Sequence, residues 1–150
     1  MPPKFSLQSV LNIRHSRVEA LEIGLGELLA NHKKAEALLV SLQVQQNHLF
    51  EQLLDQQKAE MDLFKVTHIR SNIVTVDEQI RRAKMAVEEL VKKILQRRQE
   101  IIIAKQAEEI LDTLKNKEIE RYMAEQTQVE GRSQDDIYIA QAYRARRQEG

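Results

Sequence analysis

The sequence predicts an all-α protein, a long antiparallel two-helix coiled-coil hairpin with extended ends, and three observations carry that expectation. Leu7, Leu11, Val18, Leu21, Leu25, Leu28, Ala35, Leu39, Leu42, Leu49 and Leu53 fall on one stripe stepped alternately by three and four residues. A stripe held at heptad spacing winds a helix around a partner helix instead of into a globular core. Charged residues make up 31% of the 150-residue chain and aromatics only 4%, so large rings for a compact core are scarce. Four glycines and two prolines are the only strong helix breakers, and Pro2 and Pro3 precede any helix.

The first helix is expected over about residues 5–56, where the leucine stripe runs. Its next seam positions are Gln56 and Glu60, so the stripe fades and a turn is expected over about residues 57–62. A rival turn lies at residues 71–75, where Thr75 and Glu78 have capping-box spacing among β-branched neighbours. The earlier turn is preferred because a second stripe is already in phase there. That stripe starts at Leu63 or Val66 and continues through Ile69, Ile73, Val76, Ile80, Ala83, Val87, Leu90, Ile94 and Ile101, broken only by Arg97. It defines a second helix over about residues 63–126. Beyond Ile101 the apolar residues Ala104, Ala107, Leu111 and Leu114 demand a shift of phase, the mark of a stammer. The helix should weaken over residues 127–133, around Gly131 and its polar neighbours. A last amphipathic segment over about residues 133–148 carries Ile137, Ile139, Ala140, Tyr143, Arg144, Arg146 and Arg147. The whole is read as one coiled-coil domain, with arms of about 50 residues reaching about 75 Å at the helical rise.

Lys plus Arg equals Asp plus Glu at 23 each, so no whole-chain field draws the protein to nucleic acid or to an anionic membrane. Charge is nevertheless segregated. Between Arg81 and Arg98, Arg81, Arg82, Lys84, Lys92, Lys93, Arg97 and Arg98 oppose only Glu88 and Glu89; from Glu108 to Asp136 acids dominate. Such blocks are mostly solvated helix faces, and they can also steer a charged partner. Cysteine is absent, which removes disulfides and thiolate chemistry and fits a reducing compartment. No apolar run approaches a membrane span of about 20 residues, and the start lacks the apolar core of a secretion signal. A soluble cytoplasmic protein is expected.

No catalytic, cofactor or metal site is expected. His15, His32, His48 and His68 are never three or four residues apart, so no two share a helical face as metal ligands. His32 falls on the seam, where a polar residue fixes register. Gly24-Leu25-Gly26 lacks the preceding strand and following Lys-Ser or Lys-Thr of a phosphate loop. It marks a bend, a close helix crossing, or a slim waist suited to a narrow opening. The adjacent pairs Glu88 and Glu89, Glu108 and Glu109, and Asp135 and Asp136 point in different directions from a helix and have no apolar enclosure to raise a pKa. Off the seam, Val91, Leu95 and Ile102 form a side stripe with Ile103 and Ile110 nearby, and Leu38, Val44, Phe50 and Leu54 do likewise on the first helix. These positions widen the buried face or dock a third surface.

The chain resembles the flagellar type III export protein FliJ family over nearly its whole length. The resemblance rests on Phe5, Leu7, Val10, Leu11 and Arg14 in the opening segment, and on Lys33, Lys34, Ala35 and Glu36 with Leu39 and Leu42. It continues in the run from Ile110 through Asp112 and Leu114 to Lys117, and in Asp135 and Asp136 followed by Arg144, Arg146 and Arg147. The resemblance implies a stalk whose paired ends enter the central opening of the hexameric export ATPase FliI, much as the γ subunit occupies the ring of rotary ATPases. It also implies contacts with the membrane export gate FlhA and with export chaperones, and a place at the inner membrane of the flagellar base through those partners only. The chain would couple hydrolysis by its partner to proton-driven gate opening and hydrolyse nothing itself.

Mapped onto this sequence, the resemblance implies ATPase contact by Leu7, Val10, Leu11, Arg14 and Val18, with Tyr122, Ile137, Tyr143, Arg144 and Arg147. It implies gate contact by Leu38, Leu42, Gln45, Leu49, Val76 and Gln79, although aromatics of that patch in some relatives are Gln45, Leu49 and Asn72 here. Three other readings compete: an injectisome stalk of similar shape, a generic self-associating coiled coil, and a helical nucleic-acid binder using residues 81–98.

Overall fold

The structure, a computed structural model, describes residues 5–58 and 60–149. Met1 to Lys4, which include both prolines, and Ala59 of the expected turn lie outside the described residues. Two helices account for nearly all of the rest: α1 spans Gln8–Lys58 and α2 spans Leu63–Glu149. No strand occurs among the described residues. The architecture is the all-α helical hairpin that the heptad pattern predicts, with the two helices packed together.

The helix starts have local causes. Gln8 N–H donates to the Phe5 carbonyl and Leu11 N–H to the Leu7 carbonyl, which closes the first turn of α1. At the start of α2, Asp62 Oδ1 accepts from Phe64 N–H at 3.0 Å while the Asp62 carbonyl accepts from Val66 N–H. Asp62 therefore caps α2 by satisfying one of its orphan donors. The rival turn at residues 71–75 lies inside α2. Thr75 donates its hydroxyl to the Ser71 carbonyl at 3.1 Å, and Glu78 pairs with Arg81 and Arg82 instead of reaching back to Thr75.

Contacts group the chain into two compact units. One comprises Val18–Ile102; the other comprises the chain up to Arg17 and from Ile103 on. In the Val18–Ile102 unit, Leu42, Leu49, Val76, Ile80 and Ala83 form the core cluster, flanked by Leu39 and Ile73. Gln46 Nε2 donates to Asp77 Oδ1 across the helices, and the pairing of residues early in α1 with residues late in α2 makes the helices antiparallel. In the other unit His15 Nδ1 lies 2.7 Å from Glu108 Oε1. Among the described residues no polar side chain is buried, and none of any kind is withdrawn from water to below 2% exposure. The core is one side chain deep.

Burial corrects three sequence expectations. The seam on α2 starts at Val66, since Leu63 is 74% exposed. Between Ile101 and Met123 the half-buried residues are Ala104, Ala107, Glu108, Leu111, Lys115, Glu118 and Tyr122, while Leu114 is exposed. Ala104, Glu108, Leu111, Lys115, Glu118 and Tyr122 keep the three-and-four step, so no stammer is needed. The methylene stem of a lysine such as Lys115 lies along apolar surface with its ammonium in water, so a charged residue can hold a half-exposed seam position. Finally, α2 is unbroken over residues 127–133: it continues through Gly131 to Glu149, with no separate C-terminal segment among the described residues. One glycine costs about 1 kcal/mol in a helix interior, too little to break a cooperative run of good helix formers. Thr127 closes its hydroxyl back onto the Met123 carbonyl at 3.0 Å.

The glycine pair resolves into two different positions. A Cβ on Gly24 would lie 3.3 Å from Arg97 Nη1 and 3.5 Å from its Cζ, so Gly24 is the notch that seats the seam guanidinium. A Cβ on Gly26 would meet nothing within 4 Å. Gly26→Ala is therefore expected to raise stability by about 0.8–1 kcal/mol through helix propensity alone, read as a higher urea midpoint. Gly24→Ala should gain much less, because the guanidinium must swing aside.

Candidate functional site

Leu7, Val10, Leu11 and Arg14, together with Tyr122, Ile137, Tyr143, Arg144 and Arg147, all fall in the unit that joins the start of α1 to the later part of α2; Val18 falls in the other. The two groups differ in how much they offer a partner. Leu11 and Val18 are buried, Tyr122 is half-buried, and Leu7, Val10, Arg14, Ile137, Tyr143, Arg144 and Arg147 are exposed. From residue 123 to residue 148 every side chain is exposed, and only Gly131 is partly covered. That length of α2 presents Met123, Val129, Ile137, Tyr138, Ile139 and Tyr143 to solvent on the same helix as Arg144, Arg146 and Arg147. Cations in the last turn complement the negative end of the helix dipole, and they give this end a positive tip.

The second set behaves differently. Leu42, Leu49 and Val76 belong to the core cluster of the Val18–Ile102 unit, whereas Leu38, Gln45 and Gln79 are exposed. A partner at this patch would meet Leu38, Gln45 and Gln79, with the three buried residues fixing the helix faces that present them.

Electrostatics along α2 are shaped by Glu78. Hydrogen bonding from Arg81 is the largest influence on the exposed Glu78 carboxyl; desolvation opposes it, and the charges of Arg81 and Arg82 with a hydrogen bond from Arg82 leave the group below its ordinary value. The bond between Glu78 and Arg81 in turn raises Arg81. Two cations of the basic block are thus spent locally. His32 Nε2 lies 3.4 Å from Glu36 Oε1 on its own helix, so this half-buried seam histidine is satisfied without a partner across the pair.

Among the described residues no group of three or more His, Asp or Glu side chains is placed to hold a metal ion, and no helix is long and apolar enough to cross a membrane. Sequence reasoning missed the apolar cluster beside the turn, where Met61, Leu63 and Phe64 are exposed, Phe64 by 89%. The signal was present, since Asp62 immediately before Leu63 is a helix-capping residue and fixes where α2 starts.

A protein-family model described as flagellar FliJ protein matches residues 3–147. No curated protein and no solved structure matches the chain.

Proposed function

Because the chain belongs to the flagellar FliJ family, a structural component of flagellar type III protein export, we propose that it is the stalk of the export apparatus and couples the hexameric ATPase FliI to the export gate FlhA. The reading is supported above all by the unpartnered length of α2: residues 123–148 are helical, exposed and tipped with Arg144, Arg146 and Arg147. A helix that leaves this much apolar surface in water has a surface reserved for a partner. A ring of carboxylate-bearing subunits would meet the arginines, and Arg14 on α1 would add a cation from the start of the hairpin. Asymmetric charge on a stalk within a six-fold ring favours one ring subunit at a time, which is how a partner without chemistry of its own can order hydrolysis around a ring. The gate would meet Leu38, Gln45 and Gln79, and export chaperones would use further exposed helix faces. The place of action is the cytoplasmic face of the inner membrane at the flagellar base, reached through partners.

Titrating the chain into purified FliI tests this reading. Hydrolysis should rise saturably with the added chain. The combined change Arg14→Ala, Arg144→Ala and Arg147→Ala should weaken the half-saturating concentration about tenfold, equivalent to about 1.4 kcal/mol, with helix content unchanged by circular dichroism. Unaltered stimulation by that variant would remove the arginines from the contact.

A further inference from the structure

We propose that the Val18–Ile102 unit pairs with the same unit of a second copy of this chain, running in the opposite direction, through the flank marked by Gln46 and Asp77. Two packed helices have two flanks. On one, Gly24 lies against Arg97; on the other, Gln46 donates to Asp77. Steps of seven from Asp77 carry this second flank through Arg70, Lys84, Val91 and Arg98, and the adjoining row, four residues on from each, holds Val74, Arg81, Glu88, Leu95 and Ile102. On α1, Phe50 stands one turn after Gln46, and steps of seven lead back from it to Leu29; the adjoining row holds Gly26, Lys33, Val40 and Leu54. All residues in these rows are exposed. The opposite flank differs in both respects. Gly24, Asn72 and Glu100 are half-buried there, and within the helices of this unit Leu38 is its one large apolar side chain. Exposed apolar surface this one-sided marks an interface.

The flank is complementary to itself reversed. Its charges cancel, because Glu19, Glu22, Glu36, Asp77 and Glu88 balance Lys33, Arg70, Arg81, Lys84 and Arg98. Such a face selects neither an acidic nor a basic partner and suits its own copy. Its apolar residues gather at two levels. With Gly24 level with Arg97 and Gln46 with Asp77, Leu29 falls between Val91 and Leu95, and Phe50 falls near Val74. Lys33, Glu36, Arg81, Lys84 and Glu88 lie between the levels, with Val40 the one apolar side chain among them. Turning a second copy end over end about a two-fold axis at the level of Leu38 lays α1 over α1 and α2 over α2, and sets the first apolar level of each copy on the second level of the other. Phe50 then comes over Gly26 of the other copy, where a Cβ would meet nothing within 4 Å and a ring has room. On α2 the same axis passes beside Lys84, which brings Val74 over Leu95 and Arg81 over Glu88 of the other copy. The flank offers roughly two dozen residues, and a specific interface takes about 20–30 from each partner. Leu38, Gln45 and Gln79 lie on the opposite flank and stay open in such a pair.

Sedimentation of the full chain without any ATPase tests this independently of the stalk reading. An interface so rich in charge belongs at the weak end of the affinities found for its size, so the chain should be a dimer at about 100 μM and a monomer at about 1 μM. Leu29→Glu with Leu95→Glu should raise the dissociation constant at least about a hundredfold with helicity unchanged by circular dichroism, since both side chains are exposed in the single copy. Leu38→Glu on the opposite flank should leave the dimer intact. The chain has no cysteine, so Lys84→Cys places a single thiol beside the axis, and mild oxidation should link two copies through it. Lys93→Cys, on the opposite flank, should stay unlinked under the same conditions. A wild type that is monomeric at about 100 μM would overturn the proposal and leave the flank to a different chain. Association that survives the Leu29 and Leu95 changes, or thiol linkage no better at residue 84 than at residue 93, would overturn it as well.

Discussion

Val76→Asp is expected to destabilise the hairpin by about 3–5 kcal/mol, the range for an uncompensated buried charge, and to leave a large fraction of the chain unfolded at room temperature. Val76 is the most buried side chain described, at 3% exposure, and it sits in the cluster with Leu42, Leu49, Ile80 and Ala83. A carboxylate there loses its hydration and finds no cation in the cluster to replace it. Domains of this size hold only about 5–15 kcal/mol in total, and a core one side chain deep offers no second layer to absorb the loss. The neighbouring Val74 provides the control, since it is 69% exposed on the same helix. Val74→Asp should stay within about 0.5 kcal/mol of the parent chain, as surface substitutions do. Urea unfolding followed by circular dichroism distinguishes the two directly.

Ending the chain after Ala124 is expected to abolish stimulation of FliI while leaving the urea midpoint of the remaining hairpin almost unchanged. Every side chain removed up to residue 148 is exposed apart from the partly covered Gly131, so no core contact is lost. Stability should therefore move by no more than about 0.5 kcal/mol. The functional loss should be far larger than that of the three-arginine variant, because the exposed apolar residues Val129, Ile137 and Tyr143 go with the cations. Interface energy concentrates in such buried anchors more than in rim charges. A truncated chain that still stimulates hydrolysis fully would transfer the contact to the start of α1.

The fold was legible in the sequence because its core is periodic and almost purely aliphatic. Leu11, Val18, Leu21, Leu42 and Leu49 on α1, and Val66, Ile69, Val76, Ile80, Ala83, Ile94 and Ile101 on α2, are the buried residues among those described, and all lie on the two stripes. Legibility ended where residue type and position part company. Past Ile101 the apolar Leu114 drew the seam off its phase, while the structure half-buries Lys115 and Glu118. Period carries the geometry there, and chemistry misleads because long charged stems lie along the groove with their heads in water. Gly131 misled in the same way, as a breaker too weak to end a long helix. The role of Gly24 was illegible for another reason: it depends on Arg97, 73 positions later in the sequence.

The candidate contact residues separate along the same line. Leu42, Leu49 and Val76 satisfy the seam pattern and are spent on it, whereas Leu38, Gln45 and Gln79 break the pattern and face solvent. A position can serve the pairing of two helices or a visiting molecule, and the heptad decides which.

The notch at Gly24 gives the hairpin a key. Heptad seams are nearly self-similar, so two antiparallel helices could slide by seven residues and still match leucine to leucine. Displaced by that amount, the Arg97 guanidinium would confront Arg17 or Asn31 in place of a missing side chain. A like charge or a bulky amide stands where the lock has its slot, and only one alignment lets the bolt home.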